Sequence, residues 1–312
     1  MSLTVTQAMV EQFKANVILL SQQKNTRLQQ ACQVAEVTGK SFYAERMGAT
    51  EMYERTTRHG DVHPVNTPHS RRKGIVHDME WVDYLDKADG PKTLIDIQGK
   101  YVQLAVAAAN RAKDMWILRA LGGAAHSGES GGTTVNNYDA GECRIIQGDG
   151  TLATAGSDAS DTTETDLDVT KVLLAKYLLD AAEIDEDRQR YFVTNAYNID
   201  ALLKDTTYGS EEWKTVRDIK NGKMEMFQGF MFVPIEYRST GTGLQYHTTD
   251  TGCIRSYAFA QGAVTFGVGQ DIQTVIERNP QKNAQQITAD MSVGAERNEG
   301  PAVVEMLLKA AA

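Results

Sequence analysis

The chain has 312 residues, of which 41% are hydrophobic and 23% charged, and its formal net charge is -9 at neutral pH. This length favours two lobes, since single domains usually contain ~100 to 200 residues. The negative charge argues against a protein whose main affinity is for a phosphate backbone, because clustered cations supply that affinity. No apolar run approaches the ~18 residues of a membrane span, and residues 1–7 show no export signal, so a soluble protein without a membrane partner is expected.

The N-terminal segment, residues 1–40, has the character of an arm. Phe13, Val17 and Leu20 form a narrow apolar stripe at helical spacing on a segment that is rich in Gln and Asn. A stripe this narrow cannot seat a helix in a deep core. It predicts a mobile terminal helix or, equally well, an arm that lies on a neighbouring molecule.

Residues 41–85 contain too few aliphatic side chains for a core of their own, and they are expected to project. Basic residues concentrate here, and an acidic run follows at 158–168. Such runs are usually solvated faces, but opposite charges on one chain also suit self-association. Zinc ligands would need a rigid frame with Cys or carboxylate partners, so a polar loop is favoured over a metal site for the four histidines of this region, which are His59, His63, His69 and His77.

Residues 92–121 have apolar positions at three-to-four spacing and predict one long helix, which ends at Gly122. Arg111 and Asp114 are three positions apart and are expected to pair on the outer face of this helix. The following residues, 122–168, are rich in Gly, Ser, Thr and Asp, which predicts loops with one short strand near 143–147. Helix and strand patterns then alternate from 169 to 237, which predicts a mixed lobe with a small sheet.

The C-terminal part predicts a long β-hairpin. Apolar residues alternate along both strands, and a polar tip at 277–283 separates the strands. Its sequence contains no cluster of His, Cys or carboxylate residues, so the hairpin is interpreted as a structural element. The alternating residues are Val264, Phe266, Val268, Ile272 and Thr274 on the first strand, and Ile287, Ala289, Met291 and Val293 on the second.

Catalytic and cofactor motifs are weak. Residues 128–132 match the G-x-S-x-G pattern around Ser130, and Asp200 and His247 follow in the order of a hydrolase triad. A nucleophile elbow requires a strand before the serine and a helix after it, and neither is predicted here. The phosphate-binding and dinucleotide-binding patterns are incomplete. A protein that is not an enzyme and needs no cofactor or metal is therefore expected. The three cysteines, Cys32, Cys143 and Cys253, fit buried hydrophobic residues in a reducing compartment.

The order of these elements resembles the major capsid proteins of tailed bacteriophages, with the α+β Hong Kong 97-type (Johnson) fold. The resemblance covers nearly the whole chain, and it rests on 229–234, 258–272, 291–297 and the helix residues Asp96, Tyr101, Ala108, Arg111, Asp114, Ala120, Leu121 and Gly122. It implies an N-terminal arm at 1–40, an extended E-loop at 41–85, a peripheral domain at 86–165 with the spine helix and a glycine-rich excursion, an axial domain at about 166–245, and a closing peripheral β-sheet at 246–312.

The resemblance implies a shell of pentamers and hexamers around the double-stranded DNA genome, located in the virion and assembled in the host bacterial cytoplasm. The implied partners are a separate scaffolding protein, a portal protein, a decoration protein, and packaged DNA by non-specific contact. An encapsulin-like compartment is the near alternative. A serine hydrolase that uses Ser130 is the alternative from another class.

Subunit contacts are expected at the E-loop and at the hairpin tip. Arg71, Arg72 and Lys73 are expected to face carboxylates of an adjacent subunit, with Asp96 or Glu277 as candidates. Reversing the charges of Arg71 and Arg72 is accordingly expected to spare folding and to stop assembly. The other predicted contact residues are Arg55, Arg58, Arg278 and Lys282.

Overall fold

The computed structural model describes residues 22–58, 62, 64–86, 97–128, 134–136, 144–153, 164–204, 226–238, 241–246, 252–282 and 284–310. In these residues the helices are α1 (Ile97–Gly122), α2 (Val169–Ala181) and α3 (Ala196–Lys204). The strands are β1 (Gln33–Glu36), β2 (Ser41–Met47), β3 (His69–Ile75), β4 (His77–Asp86), β5 (Ala125–Ser127), β6 (Thr134–Asn136), β7 (Arg144–Ile146), β8 (Arg190–Thr194), β9 (Met226–Phe227), β10 (Phe230–Pro234), β11 (Cys253–Ala260), β12 (Val264–Asn279), β13 (Ala284–Arg297) and β14 (Val303–Lys309).

A six-stranded sheet in the order β7-β14-β11-β8-β10-β9 forms the centre of the hydrophobic core. β8 and β10 run parallel, and β11 is antiparallel to both β8 and β14. All five residues of β8 are buried, which is typical of a strand that is covered on both faces. The ring of Phe192 stacks on Phe232 at 4.9 Å and meets Phe230 edge-on at 5.9 Å. Aromatic packing therefore dominates this sheet.

A four-stranded sheet in the order β1-β12-β13-β4 contains the predicted hairpin. β12 and β13 pair from Val264 opposite Arg297 to Asn279 opposite Ala284, so the hairpin is confirmed. The register shifts between Val268 and Gln273. Beyond this irregularity residues 273–278 are all exposed, so Thr274 does not share the burial of Val264 and Phe266.

The predicted closing sheet is divided between two sheets. β11 and β14 flank the hairpin in sequence, but they pair with each other and join β8 in the six-stranded sheet. The residues predicted as axial and as closing peripheral segments thus share one core. A strand's sheet depends on the neighbour that completes its hydrogen bonds, and periodicity along one strand does not identify that neighbour.

The third sheet has the order β2-β3-β5-β6, and its β2–β3 hairpin lies within the predicted E-loop. At the base of this hairpin, the ring of Phe42 lies against Gly74 and Gly267, where any added Cβ would overlap it. After Ile75 the chain enters β4, which pairs with β13 in the hairpin sheet. Of the described residues in the predicted loop, 48–58, 62 and 64–68 therefore lie outside the strands.

The described part of the predicted arm is fixed to its own subunit. Leu28 and Ala31 are buried in the core, and β1 pairs in parallel with β12. Only the residues before 22, which include Phe13, Val17 and Leu20, lie outside the described residues. Residues 22–40 of the predicted arm are therefore attached to the core of their own subunit.

The end of α1 at Gly122 matches its prediction, and helices α2 and α3 alternate with strands β8 and β10 within 169–237, as predicted. The glycine-rich segment holds β5 and β6 in addition to the predicted strand β7, so the prediction of a single strand is wrong. Cys32 and Cys253 are buried, as predicted, and Cys143 lies outside the described residues. No helix in the described part of the chain is both long and apolar enough to cross a membrane.

Candidate assembly surfaces

The tip of the β2–β3 hairpin, residues 48–58, 62 and 64–68, is almost entirely exposed. The side chain of Met52 is 100% exposed, and Tyr53 and Val62 are also largely in solvent. Exposed large apolar side chains in a contiguous segment typically mark a surface that another molecule covers. The basic residues Arg55 and Arg58 lie on the same exposed tip.

The distal part of the β12–β13 hairpin forms a second exposed surface. Val275 is 46% exposed, and Ile276 is exposed to a similar extent. The ammonium group of Lys282 lies 3.8 Å from the ring centre of Tyr84, a cation–π contact that joins the tip to β4. Glu277 and Arg278 are exposed on this tip, as their predicted contact role requires.

Arg71 and Arg72 have opposite environments, because neighbouring residues of a strand point to opposite faces. Arg71 forms an ion pair with Glu45 of β2 at 2.6 Å, and its guanidinium lies 5.0 Å from the ring of Tyr43. Arg72 is 0% exposed and faces the junction of β3 with β13. The prediction that Arg72 projects toward an adjacent subunit is therefore wrong, and reversing its charge would not spare folding.

The junction beside Arg72 is built from buried charges. Glu296 accepts a hydrogen bond from the backbone N–H of His126 at 2.8 Å. Arg297 donates to the backbone oxygens of Leu121 at 3.0 Å and Gly123 at 2.7 Å, so it satisfies carbonyls at the C-terminal end of α1. The charges at this junction thus join the base of the projecting hairpin, the end of the long helix and β13.

Burial raises the pKa of Glu296 to about 7, although the His126 hydrogen bond and the charges of Arg297 and Arg72 favour the ionised form. Desolvation therefore exceeds the combined effect of these partners. Glu296 therefore changes its protonation state near neutral pH, at the base of the projecting β2–β3 hairpin.

Further contacts hold α1 against the hairpin sheet. The buried Lys113 donates to Asp271 of β12 at 2.6 Å, and this contact lowers the pKa of the Asp271 carboxyl. On β4, His77 stacks on Trp116 with ring centres 4.1 Å apart. The helix is therefore a rigid support for the hairpin.

Asp114 fixes the start of the described chain. Its carboxylate accepts hydrogen bonds from the backbone N–H of Arg27 at 3.0 and 3.1 Å, from that of Leu28 at 3.2 Å, and from the side chain of Gln23. Burial nevertheless raises its pKa. Arg111 donates to Gln22 and Gln23, at 2.7 and 3.1 Å. The predicted outward pair of Arg111 with Asp114 is wrong, because Asp114 is 0% exposed.

The remaining candidate residues are scattered. Lys73 is half-buried, His69 is exposed, and Asp200 forms a surface ion pair with Lys204 at 2.5 Å. Within the described ranges, no group of three or more His, Cys, Asp or Glu residues could hold a metal ion. The candidates outside the described residues are His59, His63, Asp96, Ser130 and His247.

Asp114, Glu296 and Arg297 are the important residues that sequence reasoning did not identify as buried. The sequence signal for their burial was weak. Glu296 and Arg297 directly follow the alternating apolar residues of β13, and Asp114 directly precedes an apolar run in α1. Burial of each depends on a segment that is distant in sequence, so local pattern could not reveal it.

A sequence model of the family described as phage capsid protein matches residues 5–309. No curated protein sequence matches the chain significantly. Among solved structures, the capsid of Ralstonia phage GP4 matches with a TM-score of 0.67 at 10% identity, over 95% of this chain and 94% of that one. The capsid of Cyanophage Pam1 matches with a TM-score of 0.64 at 15% identity, over 96% of each chain.

The head structure of Helicobacter pylori bacteriophage KHP40 matches with a TM-score of 0.64 at 10% identity, over 94% of this chain and 93% of that one. At such low identities these similarities show a shared fold, the predicted Hong Kong 97-type fold. The family match spans nearly the entire sequence. The chain therefore belongs to the phage capsid protein family, as a major capsid protein that forms the shell.

Proposed function

We propose that copies of this chain assemble into a closed shell of pentamers and hexamers around phage double-stranded DNA, and that the chain acts by contact area without catalysis. The observation that carries this proposal is the exposure of Met52, Tyr53 and Val62 on a segment that extends from a well-buried core. A subunit that kept this surface in water would leave these apolar side chains uncovered.

The mechanism is the summation of many contacts. Each tip supplies a small apolar area with charges at its rim, such as Arg55 on the E-loop and Arg278 on the hairpin. Contacts of this size are individually weak, so misplaced subunits can dissociate and rebind. A closed arrangement with point-group symmetry adds these contacts over the whole shell.

The proposed partners are a separate scaffolding protein, a portal protein, a decoration protein and the packaged DNA, with assembly in the host bacterial cytoplasm. This proposal rests on the resemblance to tailed-phage capsid proteins and on the family match over residues 5–309. The same match favours a phage shell over an encapsulin-like compartment.

Expression of the full chain, with and without the neighbouring scaffolding gene product, tests the proposal. Sedimentation and electron microscopy should show shells, capsomers or other large oligomers. A species of 34.3 kDa that stays monomeric even with the scaffolding protein would contradict it.

Catalysis is tested separately. Ser130→Ala should leave particle yield unchanged, because the sequence around Ser130 lacks the strand and helix of a nucleophile elbow. An esterase activity that is present in the wild-type chain and absent from Ser130→Ala would show that the chain is a hydrolase.

A further inference from the structure

Three arginines from distant parts of the chain converge around Gln23. Arg238 donates to the side-chain oxygen of Gln23 at 2.7 Å, and Arg111 donates to its backbone oxygen at 3.1 Å. Arg27 is four residues further along, where its backbone N–H binds Asp114 and its guanidinium binds the carbonyl of Pro234. We call Arg27, Arg111 and Arg238 the arginine cluster.

The arginine cluster lacks ion pairs with carboxylates within the described residues. Its guanidinium hydrogen bonds end on neutral oxygens, those of Gln22, Gln23, Pro234 and Thr242. Other arginines of the subunit have acidic partners, in the pairs Arg71–Glu45, Arg188–Glu299, Arg190–Asp180 and Arg255–Glu305. The cluster therefore differs from these four arginines.

Among the described residues, two carboxylates lie near the arginine cluster, and both accept hydrogen bonds from backbone N–H groups. Asp114 accepts from backbone N–H groups, as described above, and Glu236 accepts from the backbone N–H of Ala196 at 2.7 Å. Burial lowers the pKa of Arg238, and the nearby charges of Arg111 and Arg27 lower it further, whereas Asp114 and Glu236 act in the opposite direction. Three cations thus lie near two carboxylates within the described residues, and Lys24 is exposed on the same N-terminal segment.

We propose that the arginine cluster binds phosphate groups of the DNA that the shell encloses, an inference that rests on the proposed function. Guanidinium groups match phosphate oxygens with two parallel hydrogen bonds. Their neutral partners already fix the positions of all three side chains, so little side-chain entropy remains to be lost on binding.

A phosphate backbone fits this cluster better than a carboxylate of another subunit. A single carboxylate neutralises one cation, whereas duplex DNA presents one charge per ~1.7 Å of its axis and can meet several cations together. The chain has a net charge of -9, so any contact with DNA requires a local excess of positive charge.

The test measures binding of a fluorescently labelled DNA duplex of mixed sequence to the unassembled full-length subunit, by anisotropy at several salt concentrations. Arg111→Gln and Arg238→Gln should each weaken binding several-fold and reduce the slope of log affinity against log salt by about 0.9. Arg238→Lys should retain most of the affinity. Arg188→Gln, which removes an arginine that is paired with Glu299, is the matched control and should bind as the wild type does.

Thermal unfolding is measured for each variant alongside its DNA binding. If a glutamine variant does not fold, Lys24→Gln supplies the test, because Lys24 is exposed and its loss should reduce the salt slope without affecting folding. Absence of DNA binding by the wild-type subunit, or equal affinities in the wild type and the folded variants, would overturn the proposal.

Particle yield by electron microscopy separates this inference from the proposed function. Variants that form normal shells but bind DNA weakly would support the arginine cluster as a DNA contact. Variants that bind DNA like the wild type but fail to assemble would assign the cluster to a contact between subunits and overturn the proposal. A wild-type chain that never assembles would contradict the proposed function. Even then, DNA binding by the unassembled subunit would test the role of the arginine cluster independently.

Discussion

The six-stranded sheet and the projecting β2–β3 hairpin use similar side chains in opposite ways. In the sheet, Phe259 is fully buried and every residue of β8 is covered. In the hairpin, Tyr43 and Met47 remain exposed, and its tip has almost no buried residues. The first region supplies the stability of the isolated subunit, and the second retains apolar area that only another molecule can cover.

This difference means that folding and assembly can be separated by mutation. Truncation of a buried side chain removes contacts that exist before assembly, whereas a change at an exposed tip affects only contacts made afterwards. Each experiment below therefore measures unfolding of the subunit and particle yield on the same variant.

The largest expected effect is that of Phe259→Ala in the six-stranded sheet. Loss of a fully buried aromatic side chain should lower the free energy of unfolding by about 3 to 5 kcal/mol, because it leaves a cavity. The measurement is chemical denaturation of the unassembled subunit. Val275→Ala is the matched control on the exposed part of the hairpin sheet, and it should change that free energy by about 0.5 kcal/mol or less. Equal losses in the two variants would contradict the contrast between the regions.

Arg72→Glu and Arg71→Glu compare the two faces of one strand. The buried Arg72→Glu should destabilise the subunit by roughly 3 kcal/mol or more, since it places a second carboxylate beside Glu296. Arg71→Glu should cost about 1 kcal/mol or less, because its pair with Glu45 is exposed. Denaturation curves measure both. A stable Arg72→Glu subunit would show that this junction tolerates an additional negative charge.

Glu296 should make stability depend on pH. Its pKa is raised in the folded subunit from 4.5 to about 7, so the folded state holds this proton more tightly than the unfolded chain does. The resulting stabilisation is fully present below pH 4.5 and is lost as the pH rises through about 7. Glu296→Gln should therefore flatten the profile and be more stable than the wild type above neutral pH, by about 3 kcal/mol.

Thermal unfolding from mildly acidic to mildly alkaline pH measures this difference. Asp271→Asn is a useful control, because the pKa of Asp271 is lowered and its loss should act in the opposite direction. Parallel pH profiles of the wild type and Glu296→Gln would show that Glu296 does not retain its proton in the folded subunit.

The smallest effect on folding is expected for Met52→Asp, at about 0.5 kcal/mol or less, because Met52 is fully exposed. Particle yield should nevertheless fall, since a charge would enter a surface that is covered in the shell. Thr50→Asp adds the same charge to an exposed polar position of the tip and should assemble better than Met52→Asp. Normal yield from Met52→Asp would exclude this side chain from subunit contacts.

Local pattern determined the elements whose signals lie within one segment. Alternation along 264–293 predicted the long hairpin, and the spacing of apolar residues up to Gly122 predicted the end of α1. Composition predicted the exposure of the described tip residues, 48–58, 62 and 64–68, because this segment has too little aliphatic material to bury itself. Element order was sufficient for the resemblance to phage capsid proteins, which the family match confirms.

Tertiary structure decided which charges are buried and which strands are neighbours. Arg71 and Arg72 are adjacent in sequence and equally basic, and only the packing of β3 against β13 separates the exposed side chain from the buried one. Asp114 becomes buried because residues 23–28 fold over it, and β11 pairs with β14 across the whole intervening hairpin. Burial and strand pairing depend on segments that are far apart along the chain, and local periodicity carries no information about such contacts.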